Sequence, residues 1–194
     1  TMEILINQLL DCLRHMKKKG VIHRDLKTDN VLYMVDERGE INSIKLIDFG
    51  VALAVGPNAV EDIFRGKVVG TFSYMAPEQG KAKSEFQSDL YSVGAILTVL
   101  LTGKLPLVFS KSKTRQELIN QLTRIEKEPR PKVTELNPYL KEHTALEHLA
   151  AIVDRMLELD AKNRPDVEEA QEAFDGVFQY IGDDKHRISI FYTR

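Results

Sequence analysis

An octet near the start of the chain, His-Arg-Asp-Leu-Lys-Thr-Asp-Asn at residues 23–30, holds the side chains that phosphoryl transfer needs. That chemistry requires a carboxylate near the acceptor hydroxyl, a cation near the moving phosphate and an oxygen ligand for Mg²⁺. Asp25, Lys27 and Asn30 can provide all three from one short loop. Taken alone, the octet has a second interpretation, a polar loop before a β-hairpin with His23 as a buried structural histidine.

Two further motifs make the second interpretation difficult to sustain. Asp48-Phe49-Gly50 follows a predicted hairpin, where a carboxylate at the end of a strand can hold Mg²⁺ against phosphate oxygens. Residues 70–78 then read Gly-Thr-Phe-Ser-Tyr-Met-Ala-Pro-Glu. Three such motifs in this order are very unlikely to arise by chance.

The segments around these motifs predict a mostly helical domain. Residues 2–19 carry apolar side chains at helical spacing, and a basic run before Gly20 favours a helix end there. Residues 31–35 and 41–47 read as two strands joined by a short turn. Residues 49–80 show no regular spacing of apolar residues and hold five glycines and two prolines, which predicts a long loop.

The remainder of the chain predicts further helices. Residues 89–102 form an apolar pattern that ends at Gly103, and Thr-x-x-Glu capping boxes at Thr114 and Thr144 each predict a helix start. Pro165 suits the first turn of a last helix that reaches about residue 180. The apolar positions expected along these three helices are Leu118, Ile119, Leu122 and Ile125, then Leu149, Ile152, Val153, Met156 and Leu157, and finally Ala170, Phe174, Val177 and Phe178.

With these motifs the chain resembles the eukaryotic-type protein kinase family over about residues 1–180. The Lys two residues after Asp25 and the Gly-Thr-x-x-Tyr-x-Ala-Pro-Glu pattern resemble the Ser/Thr subgroup. The resemblance implies a mainly α (α+β) kinase C-terminal lobe, a helical bundle with a small β-hairpin at the catalytic cleft. It implies a lobe over residues 1–182, a tail over residues 183–194, and ATP-dependent, Mg²⁺-dependent transfer to Ser or Thr hydroxyls of a protein substrate.

The resemblance also implies roles for individual residues. Asp25 orients the acceptor hydroxyl and can take its proton, while Lys27 neutralises charge on the moving phosphoryl group. Asn30 and Asp48 hold Mg²⁺ and contact the nucleotide, as Lys27 does. Thr71 steadies Asp25 and Lys27.

Other matching positions are implied to be structural or to bind adenine. Leu32 forms an apolar floor under the adenine, and His23 packs the loop. Asp89 braces the backbone of the catalytic loop, and Arg164 pairs with Glu78.

Two departures from the family pattern affect the expected activity. The 194 residues contain no glycine-rich phosphate loop and no Val-Ala-Ile-Lys strand. We therefore expect the N-lobe to lie in a longer parent chain, and negligible transfer from this chain alone. Residues 49–70 hold no Ser, Thr or Tyr, so Arg24 cannot pair with a phosphate there. Glu61, Asp62 or a partner protein could replace that phosphate, or the loop is simply mobile.

The composition of the chain limits which other functions it could have. The net charge of −2 gives no support for nucleic-acid binding, and the apolar run at residues 90–102 is too short to span a membrane. The single cysteine, Cys12, excludes an internal disulfide, fits a cytoplasmic location and reads as a small core residue. A catalytically inactive kinase-like scaffold and a small-molecule phosphotransferase remain as alternative functions.

Overall fold

The computed structural model describes residues 2–55, 68, 70–111 and 114–183. In these ranges the chain is mostly helical, as predicted, and it has two small sheets, of which only the β-hairpin was predicted. The α-helices are α1 (Met2–Lys19), α2 (Phe86–Thr102), α3 (Arg115–Lys127), α4 (Val133–Leu136), α5 (Thr144–Met156) and α6 (Val167–Asp183). Short 3₁₀ turns lie at Thr28–Asn30, Phe72–Tyr74, Pro77–Lys81, Pro138–Glu142 and Ala161–Asn163.

The core is built around α2, which is buried along most of its length. Helices α1 and α5 pack against α2, and α6 packs against both α1 and α5. A Cβ atom on Gly94 of α2 would lie 2.9 Å from the Cβ of Met156, so a glycine here allows α2 and α5 to approach closely. Among the residues that the structure describes, we find no helix with the length and apolarity to cross a bilayer.

The described residues include four strands, in two antiparallel pairs that flank the predicted catalytic loop at residues 23–30. Strand β1 (Val21–Ile22) pairs with β4 (Leu53–Ala54), and β2 (Val31–Val35) pairs with β3 (Ile41–Leu46). The β2–β3 pair confirms the predicted hairpin, which ends one residue earlier than expected. Four consecutive side chains of β2 are at least half exposed, namely Leu32, Tyr33, Met34 and Val35.

A glutamine side chain fastens this hairpin to α1. Gln8 donates through Nε2 to the carbonyl of Asn42 at 3.1 Å and accepts from the amide of Ile44 at 2.7 Å. Because β3 has no strand on that side, the glutamine satisfies backbone groups that would otherwise need water. The hairpin is thereby held in a fixed position relative to the helical core.

The helix starts show where the sequence patterns succeed and fail. Thr114 accepts from the amide of Glu117 at 3.1 Å, which confirms the first capping box. The second capping box is wrong, because Thr144 is already helical and His143 occupies the N-cap position without a side-chain bond. The prediction that Pro165 lies in the first turn of the last helix is also wrong. Helix α6 begins at Val167, and Asp166 accepts the amide of Glu169 at 2.8 Å.

Several finer predictions need correction. Ile125 is buried as predicted, but Leu118 and Ile119 are exposed, because Gln121 lies beside Ile125 on the buried edge of α3. Helix α2 starts at Phe86, three residues before the predicted start. Cys12 is half-buried, and burial raises the pKa of its thiol.

The predicted loop at residues 49–80 contains local structure. It includes β4 and the 3₁₀ turns at Phe72–Tyr74 and Pro77–Lys81. Residues 56–67 and 69 lie outside the described part of the chain, as does the predicted tail apart from residue 183.

A buried ion pair ties the 3₁₀ turn Pro77–Lys81 to the turn before α6. Arg164 donates to both carboxylate oxygens of Glu78, at 2.8 and 2.9 Å, and also to the carbonyls of Gln87 and Glu158. Burial alone raises the pKa of Glu78, but the hydrogen bonds and charge of Arg164 outweigh it and hold that pKa below its usual value. The sequence-based pairing of these residues agrees with this geometry.

We expect Arg164→Ala to destabilise the fold by about 3–5 kcal/mol, because Glu78 would keep a buried charge without its partner. Thermal unfolding of the purified chain measures this loss. Arg155→Ala is the matched control, since Arg155 pairs with Glu169 at an exposed site where about 1 kcal/mol or less is at stake. Equal melting temperatures for the two variants would contradict this assignment.

Candidate active site

The loop after β1 is held from below by a carboxylate of the central helix. Asp89 accepts the amide of His23 at 2.7 Å through Oδ2 and the amide of Arg24 at 3.0 Å through Oδ1. Arg24 has a φ of 68°, a left-handed conformation that is unfavourable for a residue with a Cβ. The two hydrogen bonds to Asp89 therefore fix the backbone just before Asp25 in a conformation that it would not otherwise adopt.

Asp25, Lys27 and Thr71 form a close group at the mouth of this loop. The hydroxyl of Thr71 donates to Asp25 Oδ1 at 2.7 Å, and Lys27 Nζ lies 3.1 Å from Asp25 Oδ2. Lys27 Nζ also lies 3.3 Å from the Thr71 hydroxyl. Each oxygen of the Asp25 carboxylate thus has a donor, and its orientation is defined from two sides.

Asn30 joins the same group from the end of the loop. Its side-chain amide donates to the carbonyl of Asp25 at 2.8 Å, which leaves the side-chain oxygen available as a ligand. Its own carbonyl accepts the amide of Ile47 at 3.0 Å, so the residue before Asp48 is bonded to Asn30. Asp48 has a φ of 63° and accepts the amide of Gly50 at 3.3 Å.

These oxygens fit a hard divalent cation. The described residues hold no cluster of three or more His, Cys, Asp or Glu side chains that could form a metal cage by themselves. Asn30 and Asp48 together offer an amide oxygen and a carboxylate, and Mg²⁺ is commonly bound by one or two protein oxygens plus water and phosphate oxygens. The pair therefore suits a metal that arrives with a phosphate ligand.

Leu32 and His23 occupy different surroundings. Leu32 lies on β2 opposite Lys45 with half of its surface exposed, and no described contact joins it to the Asp25 group. His23 is fully buried, with Nε2 at 3.1 Å from the Ile47 carbonyl and its ring 4.6 Å from that of Phe49. Burial lowers the pKa of His23, so the ring is neutral at pH 7 and has a packing role.

Arg24 is turned toward the chain after the Asp-Phe-Gly motif. Its guanidinium donates to the carbonyl of Val51 at 2.5 Å and to that of Ala52 at 3.5 Å. These bonds attach the residues that follow Gly50 to the catalytic loop. The candidate partners Glu61 and Asp62 lie outside the described residues.

Two contacts of the site were not expected from the sequence. Gln79 donates to the Arg24 carbonyl at 3.0 Å, which joins the segment after Ala-Pro-Glu to the catalytic loop. Thr28 Oγ1 lies 2.9 Å from the hydroxyl of Tyr74. Both contacts join residues more than 45 positions apart, and no local sequence pattern indicates such pairs.

The start of α2 contributes three polar side chains to this site. Besides Asp89, Ser88 donates to the Glu78 carboxylate at 2.7 Å, and Ser92 donates to the Tyr74 carbonyl at 2.8 Å. All three are buried. Helix α2 therefore holds both the catalytic loop and the 70–78 segment in position.

Comparisons with known proteins show which family the chain resembles. A family model described as "Protein kinase domain" matches residues 1–174. Serine/threonine-protein kinase pkn2 of Myxococcus xanthus is 37% identical over 163 residues, or 83% of this chain. From the same organism, Pkn1 is 31% identical over 98% of the chain and pkn3 is 33% identical over 95%.

The chain corresponds to only part of each of these relatives. It spans 18% of pkn2, 25% of Pkn1 and 32% of pkn3. The similarity therefore extends along nearly all of this chain but along a third or less of the relatives.

The buried Asp89 carboxylate leads to a prediction about pH. Burial raises its pKa from 3.8 to about 6. The hydrogen bonds from the His23 and Arg24 amides and the charge of Arg24 lower this pKa, but burial outweighs them. Between these two values the folded state binds the proton more tightly than the unfolded state. The contribution of Asp89 to stability is therefore largest at low pH and falls as pH rises through about 6.

We expect the unfolding free energy of the wild type, relative to Asp89→Asn, to fall by roughly 3 kcal/mol between about pH 4 and pH 7. Urea titrations at several pH values measure it, and the asparagine variant is the control because it cannot ionise. Parallel pH profiles for the two proteins would show that Asp89 titrates normally.

Proposed function

The chain belongs to the protein kinase family, and from this premise we propose that it is the catalytic lobe of a serine/threonine protein kinase. The observation that carries the proposal is the group formed by Asp25, Lys27 and Thr71 beside Asn30, with the distances given above. The substrate is a Ser or Thr hydroxyl of a protein, and the phosphate donor is ATP with Mg²⁺. An intracellular, cytoplasmic location is part of the proposal, because ATP must be available.

In the proposed reaction Asp25 receives the acceptor hydroxyl. Thr71 and Lys27 each bond one oxygen of the Asp25 carboxylate, so the carboxylate keeps one orientation. A lone pair on it accepts the hydroxyl proton. As the new O–P bond forms and the bond to the leaving diphosphate breaks, the hydroxyl proton passes to Asp25. The Lys27 ammonium lies close enough to offset the charge that spreads over the moving phosphoryl oxygens.

The other residues of the site bind the nucleotide and metal in this proposal. Asn30 Oδ1 and the Asp48 carboxylate hold Mg²⁺, which when bound neutralises charge on the phosphates. Leu32, whose apolar side chain is half exposed, would serve as the floor for adenine. The tail after residue 182 has no role in the proposed chemistry.

Asp25→Asn in the full-length protein tests this function. We expect phosphate incorporation into a generic Ser/Thr protein substrate to fall by at least about a hundredfold, because the group that positions and deprotonates the hydroxyl is lost. Asp175→Asn removes the same charge from an exposed position of α6 and is the matched control. Activity that survives Asp25→Asn would assign the carboxylate another role.

A non-catalytic scaffold is the second candidate, favoured by the lack of a glycine-rich loop and a strand lysine in these 194 residues. In our proposal a nucleotide-covering lobe carries those parts elsewhere in the parent protein. A full-length protein that contains them but transfers no phosphate would favour the scaffold.

We expect the 194-residue chain alone to transfer no measurable phosphate, since its sequence holds no glycine-rich phosphate loop and positioning accounts for most of the rate. Radiolabelled ATP with a peptide mixture measures this. Transfer by the isolated chain that disappears in Asp25→Asn would overturn the expectation.

A further inference from the structure

The catalytic loop and the 70–78 segment meet at a second point that the proposed chemistry does not use. The hydroxyls of Thr28 and Tyr74 lie 2.9 Å apart, and either one can donate to the other. Thr28 opens the 3₁₀ turn Thr28–Asn30, and Tyr74 closes the 3₁₀ turn Phe72–Tyr74. This hydrogen bond therefore joins two short turns that lie on opposite sides of the site.

The first point of contact is the Thr71–Asp25 hydrogen bond described above. Tyr74 is bound back to it, because its amide donates to the Thr71 carbonyl at 2.9 Å. On the other side, Asn30 is bonded to the Asp25 carbonyl at 2.8 Å. Asp25, Thr71, Tyr74, Thr28 and the loop back to Asp25 thus form a closed ring of contacts.

Two attachment points constrain orientation in a way that one cannot. The Thr71–Asp25 bond holds the start of the 70–78 segment to the catalytic loop, while Ser92 and Arg164 hold the rest of the segment to the helical core. The Thr28–Tyr74 bond adds a second direct link between the segment and the catalytic loop, and a misplacement of about 1 Å at a reacting group is enough to lower a rate severely.

The backbones that carry the two hydroxyls are themselves fixed. The Tyr74 carbonyl accepts Ser92 of α2 at 2.8 Å, and the Thr28 carbonyl accepts the amide of Val31 at the base of β2. The hydroxyl bond consequently couples two held pieces of backbone rather than two mobile side chains.

We propose that Thr28 and Tyr74 are positioning residues whose hydroxyl pair orients the 70–78 segment relative to Asp25. The inference rests on the proposed function, in which Asp25, held by Thr71 of the 70–78 segment, receives a hydroxyl of the protein substrate. It deepens that function by assigning the pair to transfer onto a protein hydroxyl, as distinct from transfer onto water.

The kinetic test uses the full-length protein with Tyr74→Phe, Thr28→Val and the double variant. We expect each single variant to lower kcat for a peptide substrate roughly threefold to tenfold, the worth of one hydrogen bond. ATP hydrolysis without peptide should fall less, so the ratio of peptide phosphorylation to hydrolysis drops. The double variant should be no worse than either single one, because both remove the same bond.

Thr28→Ser keeps the hydroxyl, and we expect it to retain the wild-type ratio. Three results would overturn the inference: additive losses in the double variant, equal losses in phosphorylation and hydrolysis, or a serine variant as poor as Thr28→Val.

A second measurement on the 194-residue chain does not depend on catalysis. Hydrogen exchange at the Tyr74 amide should be faster in Tyr74→Phe, since the turn to Thr71 loses its support. Tyr139→Phe is the matched control, because its hydroxyl bonds His143 at 3.1 Å far along the chain. Unchanged exchange in Tyr74→Phe would refute the positioning role. A full-length wild-type protein that phosphorylates no substrate would refute only the proposed function.

Discussion

The active geometry depends on one buried carboxylate that accepts two backbone amides. Asp89 is almost completely enclosed, and its charge is unfavourable there, as its raised pKa shows. The amides of His23 and Arg24 compensate for the lost water, and in return their backbone is fixed in an unusual conformation. A buried polar group of this kind specifies one arrangement, because any displacement leaves donors and acceptor unsatisfied at once.

The central helix extends this constraint to the rest of the site. Asp89 holds the catalytic loop, while Ser88 and Ser92 contact Glu78 and the Tyr74 backbone of the 70–78 segment, so two segments that are distant in sequence share one reference. The apolar remainder of α2 is packed between α1 and α5, which gives that reference its rigidity. The helical bundle thus serves as a frame, and the chemistry lies on loops at one end of it.

Much of this arrangement could be predicted from the sequence, and the reasons for the failures are specific. Helical spacing identified α1 because its buried stripe is local information, and the motif around Asp25 carries its function in residue type and order. The cap at Thr144 failed because the same four letters fit a threonine one residue inside the helix. Leu118 and Ile119 failed because the packing of α3, rather than its periodicity, decides which edge is buried. The Thr28–Tyr74 bond could not be anticipated, since it is defined only once distant turns meet.

The apolar side chains of β2 affect how the molecule behaves in solution. Residues 32–35 lie on β2, an edge strand of a two-stranded sheet, and each of these side chains is half exposed or more. Such an edge is a template for pairing between copies, and a single charged substitution there is a common natural remedy. Concentrated samples of the isolated chain will consequently tend toward self-association, and a lysine in place of Met34 would improve their solubility without touching the catalytic loop.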